Sequence, residues 1–338
     1  MSSPSHLFNV SAIQPQKNYT SGTRTDVNVA NFPVLKGMAL SILNLLPKGV
    51  REPHWHPNAH ELSYCIEGKG LMTIFNPENG HETFIIEPGT LAFVPMGSMH
   101  HIENLGDTLL QMLVCFNHET PENLNLSTSL QVMPDSLLAA TFKMDPHFFA
   151  ELKKTQIDGF IFEKSSPTET NLSWMTNRFK SSTAMILPQL ENKGGFVKMT
   201  KASMMSTLKG LTLYYLNLEP GGAREPHWHP NAHELNYLIK GQARIVLLSP
   251  NGHVEQLEMT PGHMSFLPRG YLHSIECIGE EPAEFAIFFN HESPSDIGLS
   301  GCLGAYSNDL LTALLNLKPN SLDSLPKYQE DLLIVTSK

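Results

Sequence analysis

The sequence predicts an all-β protein made of two tandem copies of one strand-rich domain, each copy ending in short helices. Three observations lead to this prediction: a long internal repeat, a regular spacing of turn signals, and helix-type periodicity confined to the end of each copy. With 338 residues, the chain is long enough to give both copies a buried core.

The internal repeat is the most direct of these observations. The segment REPHWHPNAHEL occurs at Arg51–Leu62 and again, unchanged, at Arg224–Leu235. The shift that carries Arg51 onto Arg224 also places Phe116–Glu119 (FNHE) on an identical tetrapeptide at Phe289–Glu292. A period this long indicates duplication of a whole domain, because the repeats of solenoid proteins are only about 20–45 residues long.

We predict the first domain at 5–160 and the second at 175–338, with the polar stretch around Lys164–Ser173 as the connector. Within each domain, short runs of β-branched and aromatic residues alternate with turn signals about every ten residues, which is typical of a sandwich or barrel. Asn79-Gly80 and Asn251-Gly252 each lie between apolar runs, and they predict hairpin turns.

Each domain is predicted to end in a short helix. The segments Ser136–Phe142 and Asp309–Leu317 have apolar residues at helical spacing. Asp135 and Asn308 precede these segments and are the candidate N-cap residues. We expect these helices to pack beside the barrels.

Four residues of the first copy form a candidate metal site. His54 and His56 are two residues apart, so on a strand their side chains point to the same face. Glu61 has the wrong parity for that strand, but the Pro57-Asn58 turn lets it return on the adjoining strand and face the same cavity. His100 begins a later strand. Three imidazoles and a carboxylate suit Mn²⁺ or Fe²⁺, and Zn²⁺, Ni²⁺ or Cu²⁺ would also bind.

The second copy repeats this set at the same spacing. A single histidine is more often a core or surface residue than a ligand, but four ligand-type residues that recur in two copies favour a metal site. The second set consists of His227, His229, Glu234 and His273.

These residues fall within two motifs of the cupins, G-x5-H-x-H-x4-E-x6-G and G-x5-P-x-G-x2-H-x3-N, so the chain resembles that family. The resemblance implies two jelly-roll barrels, also called double-stranded β-helices. Each copy departs from the motifs once, and neither departure affects a ligand position. Lys48 stands at the leading glycine of the first motif in copy one, and Cys277 stands at the final asparagine of the second motif in copy two.

The doubled REPHWHPNAHE more narrowly resembles the oxalate decarboxylase branch of two-domain cupins. That resemblance implies manganese at both sites, and an arginine beside the first metal histidine that holds and polarises the oxalate monoanion. Arg51 and Arg224 stand at that position. A guanidinium offers a fork of donors to a carboxylate, although an ion pair at the rim is an alternative role for each arginine.

Decarboxylation also requires a proton donor for the carbon that loses CO₂. The resemblance implies a glutamate on a loop after the last barrel strand, and the candidates here are Glu122 and Asp296, which could instead be solvated loop acids. A second glutamate position of the family, near the end of the last strand, is occupied by Val114 or Ile287.

The leading interpretation is a manganese-dependent enzyme that acts on a small carboxylate and converts oxalate to formate and CO₂. Two alternatives remain open: an oxalate oxidase or other dioxygenase that also uses dioxygen, and a non-catalytic bicupin that binds metal or ligand. Cupins support many reactions on one scaffold, so the fold does not choose among them.

Composition narrows the class of partner. Asp and Glu exceed Lys and Arg by 33 to 23, and no basic run occurs, so we expect neither a nucleic-acid nor a membrane partner. The four cysteines form no CxxC pair, and no secretory signal is evident, which favours a cytoplasmic location. The resemblance implies a homo-oligomer, a trimer or hexamer, assembled through the terminal helices.

Overall fold

The protein is described by a computed structural model over residues 5–78, 80–154, 160–166 and 177–336. β-strands dominate it, as the sequence predicts, and helices follow the strands of each copy. Asn79 of one predicted hairpin turn lies outside the described residues, and so does most of the predicted connector Lys164–Ser173.

The first copy begins with a strand at Leu7–Asn9 and one turn of 3-10 helix at Val10–Ala12. Its strands are β1 (Leu7–Asn9), β2 (Lys17–Tyr19), β3 (Gly22–Val27), β4 (Ala39–Leu45), β5 (Gly49–Trp55), β6 (Glu61–Glu67), β7 (Gly70–Asn76), β8 (Gly80–Ile86), β9 (Thr90–Val94), β10 (His100–Asn104), β11 (Leu110–Phe116), β12 (Leu124–Asn125) and β13 (Ile161–Glu163). Its helices are α1 (Leu126–Val132), α2 (Asp135–Phe142) and α3 (Pro146–Lys154).

The second copy repeats this order of strands, and two helices follow them in the described residues. Its strands are β14 (Lys180–Ser182), β15 (Leu190–Asn192), β16 (Gly195–Thr200), β17 (Thr212–Leu218), β18 (Gly222–Trp228), β19 (Glu234–Lys240), β20 (Ala243–Leu248), β21 (Val254–Met259), β22 (His263–Leu267), β23 (Leu272–Cys277), β24 (Ala283–Phe289), β25 (Ile297–Gly298) and β26 (Ile334–Thr336). Its helices are α4 (Leu299–Ala305) and α5 (Asn308–Leu314).

The chain forms two compact units, each of which combines one copy with the first strand of the other. The N-terminal unit comprises Ile13–Ala184 and Met205–Lys209, and the C-terminal unit comprises Met1–Ala12, Met185–Met204 and Gly210–Lys338. Strand β1 pairs with β22 of the C-terminal unit, and its counterpart β14 pairs with β9 of the N-terminal unit. The limits 5–160 and 175–338 stay predictions for the extent of each copy.

Each unit contains a seven-stranded and a six-stranded antiparallel sheet, the arrangement of a jelly roll. In the N-terminal unit the strand orders are β14-β9-β6-β11-β4-β3-β2 and β12-β5-β10-β7-β8, and β13 pairs with β5. The C-terminal unit repeats both orders with the equivalent strands. Leucine, isoleucine and phenylalanine side chains that are almost fully buried fill both units, among them Leu45, Leu62, Phe116, Phe285 and Phe289.

The backbone explains two motif positions. At Gly241 φ is +81°, and a Cβ atom there would lie 2.4 Å from the carbonyl oxygen of Pro282. At Gly221 φ is +79°, and Lys48 at the matching position of the first copy also has a positive φ of 65°. The turn before β5 therefore keeps its shape without glycine, at a conformational cost of about 1–2 kcal/mol.

The two predicted helices are present, but their N-caps lie one residue earlier than predicted. Asp135 and Asn308 are the first helical residues, and the preceding residues, Pro134 and Ser307, are the caps. Only the hydroxyl of Ser307 caps its helix, by accepting a hydrogen bond from the Leu310 amide. Helices α1, α3 and α4 were not predicted. Among the described residues, no helix has the length and apolar character needed to cross a bilayer.

Candidate metal centres

The four predicted ligands of the first copy converge inside the N-terminal unit, and we call this cluster site 1. His54 lies on β5, His56 follows that strand, Glu61 begins β6 and His100 begins β10. One ligand atom from each residue lies within 4.8 Å of the others, and all four side chains are buried. His54 and His100 are directly paired between β5 and β10, which brings their rings together.

Glu61 reaches the cluster from the facing sheet. Strand β6 belongs to the seven-stranded sheet, whereas β5 belongs to the six-stranded sheet, so the two strands do not pair as adjoining strands. The turn between them is fixed by Asn58, whose side-chain oxygen accepts from the Glu122 amide and whose Nδ2 donates to the Thr120 carbonyl. The cluster therefore joins both sheets of the unit.

The predicted ligands of the second copy converge in the same way, and we call this cluster site 2. It consists of His227, His229, Glu234 and His273, again buried and within 4.8 Å of one another. His227 on β18 is paired with His273 on β23, as the equivalent residues are in site 1.

All six histidines are oriented by backbone carbonyls. In each ring Nδ1 lies 2.7–3.0 Å from a carbonyl oxygen, so Nδ1–H donates and Nε2 is left without a proton to face the other ligands. The accepting carbonyls belong to Glu52, Glu122 and Ser98 in site 1, and to Glu225, Ser295 and Tyr271 in site 2.

The polar atoms inside the clusters fit a cation. Glu61 Oε2 lies 3.1 Å from His56 Nε2 and 3.2 Å from His100 Nε2. In site 2, Glu234 Oε2 lies 2.7 Å from His229 Nε2 and 3.3 Å from His273 Nε2. The geometry of these two contacts is not that of a hydrogen bond, so both nitrogens are buried without a hydrogen-bond partner, and so is Glu234 Oε1. Buried polar atoms without partners are costly, and a divalent ion would satisfy all of them.

The pKa shifts show the same preference for ligand protonation states. Burial raises the pKa of Glu61, but His100 and His56 outweigh it and hold that pKa well below its ordinary value. Burial, with Arg51 nearby, lowers the pKa of His54 well below its ordinary value. His229 is the exception: burial lowers its pKa, but Asp296 and Glu234 outweigh burial and raise that pKa to about 9, so its Nε2 has to lose a proton before the ring can bind a metal ion.

Arg51 is buried beside site 1 among neutral partners. Its Nη2 donates to the side-chain oxygens of Asn123 at 2.6 Å and Asn125 at 3.3 Å, and its Nη1 donates to the Phe160 carbonyl at 3.2 Å. Its guanidinium lies 3.7 Å from the centre of the Phe160 ring, and its Nε has no hydrogen-bond partner. Burial and the nearby Arg24 lower the pKa of Arg51 to about 9.

Arg224 occupies the same place in site 2, but it has an acidic partner. Its Nη2 lies 3.3 Å from Asp296 Oδ1, where the first copy has the neutral Asn123. Asp296 also lies 3.1 Å from His229 Nδ1. Burial raises the pKa of Asp296, but His229 and Arg224 outweigh it and lower that pKa, so this carboxylate is ionised.

Glu122 contacts site 1 through its backbone rather than its carboxylate. Its carbonyl accepts from His56 Nδ1 at 2.7 Å, while its side chain is exposed. Val114 lines the site 1 cavity and Ile287 lines the site 2 cavity, at the strand positions where the resemblance implied a glutamate. The site 1 cavity measures about 10 Å³, which is room for about one water molecule.

Arg24 is a site residue that the sequence reasoning missed. It lies on β3, is 9% exposed, and lines the cavity together with Arg51, His54 and Glu61. It belongs to no motif, and Val197 stands at its position in the second copy, so the internal repeat did not mark it either.

Comparison with known protein families identifies the family to which this chain belongs. The cupin family model matches residues 8–148 and 183–322, which is most of the chain. The chain belongs to the cupin family. Because the model matches twice, once in each copy, the protein is a two-domain cupin, and its two metal clusters lie one in each cupin domain.

This cupin is similar to oxalate decarboxylases over nearly its whole length. It is 28% identical to oxalate decarboxylase of Bacillus subtilis (strain 168) over 320 residues, which covers 92% of this chain and 82% of that protein. A solved structure reporting the Mn(II) centres of Bacillus subtilis oxalate decarboxylase superimposes with a TM-score of 0.89 at 25% identity, covering 100% of this chain and 90% of that one. A germin-like protein of Oryza sativa subsp. japonica is 30% identical over 132 residues, 37% of this chain and 57% of that protein.

Proposed function

We propose that this cupin is a manganese-dependent enzyme that decarboxylates oxalate to formate and CO₂ at site 1. The observation that carries the proposal is Arg51, a buried cation beside the metal cluster whose described hydrogen-bond partners are all neutral. Glu52 and Glu61 act on Arg51 only through space, and a buried charge without a hydrogen-bonded counter-ion is unfavourable, so this position favours an anionic ligand.

Manganese is supported by the donor set and by the relative. Three imidazole nitrogens and one carboxylate leave open coordination positions on an ion of this kind. The similar Bacillus subtilis enzyme has Mn(II) centres. When bound, manganese would polarise a carboxylate oxygen of the substrate and stabilise negative charge on it. The residues that would hold it in site 1 are His54, His56, Glu61 and His100.

The contrast between Asn123 and Asp296 supports site 1 as the reacting site. Both residues accept a hydrogen bond from the arginine of their site, but only Asp296 neutralises that arginine. A carboxylate ligand entering site 2 would have to compete with Asp296 for Arg224 and would be repelled by it. Among the described residues, no carboxylate forms a hydrogen bond with Arg51.

We propose Glu122 as the proton donor. When the C–C bond of oxalate breaks, CO₂ leaves and the electron pair remains on the other carbon, which must take up a proton to give formate. The backbone of Glu122 is fixed to Asn58 and His56, so its side chain is tethered at site 1. The exposed carboxyl group can be reprotonated from solvent after each turnover. In site 2 the equivalent residue is Ser295.

Oxidation of oxalate is a second candidate, and one observation favours it. The carboxylate of Glu122 is exposed rather than turned into the cavity, and apolar Val114 and Ile102 line the cavity beside Glu61. If no proton arrives in time, dioxygen could accept the two electrons, so that oxalate and two protons yield two CO₂ and hydrogen peroxide. The two reactions differ in product.

The test is an assay of manganese-loaded and metal-free protein with oxalate that measures formate, CO₂ and peroxide together. We expect formate and CO₂ in equal amounts from the loaded protein only. Replacing Glu122 by alanine should lower formate release about 100-fold or more, in line with the loss of a general acid, whereas the matched Ser295→Ala change at site 2 should leave it unaltered.

Three outcomes would overturn this proposal. Peroxide in place of formate would assign oxidation. Equal formate release by wild type and Glu122→Ala would remove Glu122 from the reaction. The absence of any turnover by the metal-loaded protein would assign a non-catalytic role in metal or ligand binding.

We also propose a homo-oligomer, a trimer or hexamer, and a cytoplasmic location. Apolar side chains on the helices are exposed, among them Phe142 on α2 and Leu310 and Leu314 on α5, and association would cover them. Analytical ultracentrifugation would show a monomer if the proposed oligomer is wrong.

The cysteines support the proposed cytoplasmic location. Cys65, Cys115 and Cys277 are buried and form no disulfide, in keeping with a reducing compartment.

A further inference from the structure

Site 1 contains a second buried arginine that the proposed decarboxylation does not use. Arg24 donates from Nε to Asp26 Oδ1 at 2.6 Å and from Nη2 to Ser41 Oγ at 3.2 Å. Its Nη1 makes no hydrogen bond among the residues that the structure describes. The side chain nevertheless lines the same cavity as Arg51 and the ligands His54 and Glu61.

The two arginines approach the cavity from different sheets. Arg24 lies on β3 of the seven-stranded sheet, and Arg51 lies on β5 of the six-stranded sheet. Both guanidinium groups contact the ring of Phe160, at 5.6 Å for Arg24 and 3.7 Å for Arg51 from its centre. A small ligand in the cavity would therefore lie between two cationic walls.

This pair of cations lacks full compensation by acidic groups. Asp26 is the ion-pair partner of Arg24, and the carboxylate of Glu61 belongs to the metal cluster. The carboxylate of Glu52 accepts a hydrogen bond from the Ser127 amide and acts on Arg51 only through space. Arg51 has only neutral hydrogen-bond partners among the described residues, and its Nε has none. Two buried guanidinium groups repel one another, and an anion held between them would remove this repulsion.

The second copy does not repeat this arrangement. When the two copies are aligned on their shared REPHWHPNAHEL segment, Val197, Met199 and Tyr214 replace Arg24, Asp26 and Ser41. Val197 and Tyr214 line the site 2 cavity, where Arg224 is already paired with Asp296. The two sites thus have equivalent metal clusters but different charges around the space beside the metal.

We propose that Arg24 binds the second carboxyl group of the substrate, so that site 1 selects a small dicarboxylate over a monocarboxylate. This inference rests on the proposed function in requiring that a carboxylate bind beside Arg51 at site 1. The cavity has room for about one water molecule, so a ligand has to displace lining side chains, which restricts the ligand class to the shortest dicarboxylates. Arg24 acts here as a specificity-determining residue, through direct contact with the substrate.

The test compares the binding of oxalate and formate to the manganese-loaded full chain by titration calorimetry at neutral pH. Arg24→Val introduces the residue found in the second copy. Arg24→Val/Asp26→Met copies both second-copy residues, so that Asp26 is not left without its ion-pair partner. Arg24→Lys keeps the charge but loses the planar fork of donors. Thermal unfolding and metal content of each variant establish that fold and metal site are intact.

We expect both valine variants to weaken oxalate binding at least about tenfold while formate binding changes less than about threefold, because only the dicarboxylate loses a charge-assisted contact. Arg24→Lys should recover part of the oxalate affinity. Equal weakening of both ligands would assign Arg24 a structural role, and unchanged oxalate binding would remove it from the site. Either result overturns the inference.

Failure of the proposed reaction would be separable from failure of this inference. Oxalate binding that depends on Arg24, without release of formate, would overturn decarboxylation and retain the dicarboxylate subsite. Formate release with unaltered oxalate affinity in the valine variants would do the reverse.

Discussion

Replacing Asn123 by aspartate would give site 1 the charge arrangement of site 2. Arg51 Nη2 lies 2.6 Å from Asn123 Oδ1, so a carboxylate at this position would pair with Arg51. At a charge separation of about 4 Å and an effective dielectric constant of about 20, the new pair would be worth about 4 kcal/mol before desolvation. A substrate carboxylate would then meet a neutralised arginine.

The loss of affinity can be worked out from the same quantities. The new carboxylate would repel a substrate carboxylate at about 6 Å by about 3 kcal/mol, using the same dielectric constant. Since each 1.4 kcal/mol corresponds to about a tenfold change, oxalate binding and kcat/KM should fall about 100-fold. Arg51 is only 1% exposed, so solvent would screen this interaction weakly.

The assay is oxalate titration together with formate release, on Asn123→Asp and on the matched Asp296→Asn variant. Asp296→Asn changes the same position of site 2 in the opposite direction, and we expect it to leave formate release unchanged. A change of less than about threefold in Asn123→Asp would refute the reasoning, because a carboxylate beside Arg51 could then not have been a competitor of the substrate.

Three further predictions concern the metal, the pH and the core. Glu61→Gln and Glu234→Gln should each lower the metal content, measured by elemental analysis, from about two ions per chain to about one, because each residue belongs to a separate cluster. Loss of both ions from one variant would contradict the independence of the two sites. Burial raises the pKa of Asp26, but Arg24 and Ser41 outweigh burial and lower that pKa. The ion pair between Asp26 and Arg24 therefore stabilises the fold fully above the unfolded-state pKa of about 3.9. This stabilisation is lost as the pH falls through the lower pKa that Asp26 has in the folded protein. Asp26→Asn should therefore reduce the dependence of the unfolding free energy on pH below about 4, and an unaltered slope would show that the pair contributes nothing. Phe116→Ala should lower the unfolding free energy by about 3–5 kcal/mol in urea titrations, because the ring is fully buried and its centre lies 4.8 Å from the centre of the His56 ring. Phe75→Ala, at an exposed position, is the control and should lower the unfolding free energy by less than about 1 kcal/mol.

The sequence predicted the duplicated all-β fold and the two ligand sets because these depend on residue type and spacing. Identical spacing of His54, His56 and Glu61 in both copies required identical geometry. The carbonyl groups that orient the histidines could not be predicted, because every residue has a carbonyl and only the fold determines which one lies near Nδ1. Glu61 was expected on an adjoining strand, since parity and a turn do not reveal that the chain crosses to the facing sheet.

Other features were missed because their determinants are distant in sequence. Arg24 lies on β3, with all of β4 between it and Arg51, and carries no motif, so only the cavity shows that they belong together. Helices α1 and α4 have a mixed polar and small-residue composition without a clear apolar stripe. The position of β1 in the other unit depends on a pairing with β22, a strand of the second copy, for which a local pattern gives no signal.

That pairing constrains the order in which the protein can mature during synthesis. The C-terminal unit receives its edge strand from β1, which is made before the rest of that unit, and the N-terminal unit receives its own edge strand only after β14 has been made. Until then β9 presents an unpaired edge, which nascent chains must keep from associating with one another. Expression of the first copy alone would leave the edge of β9 open, and expression of the second copy alone would leave the edge of β22 open, so aggregation of such fragments is to be expected.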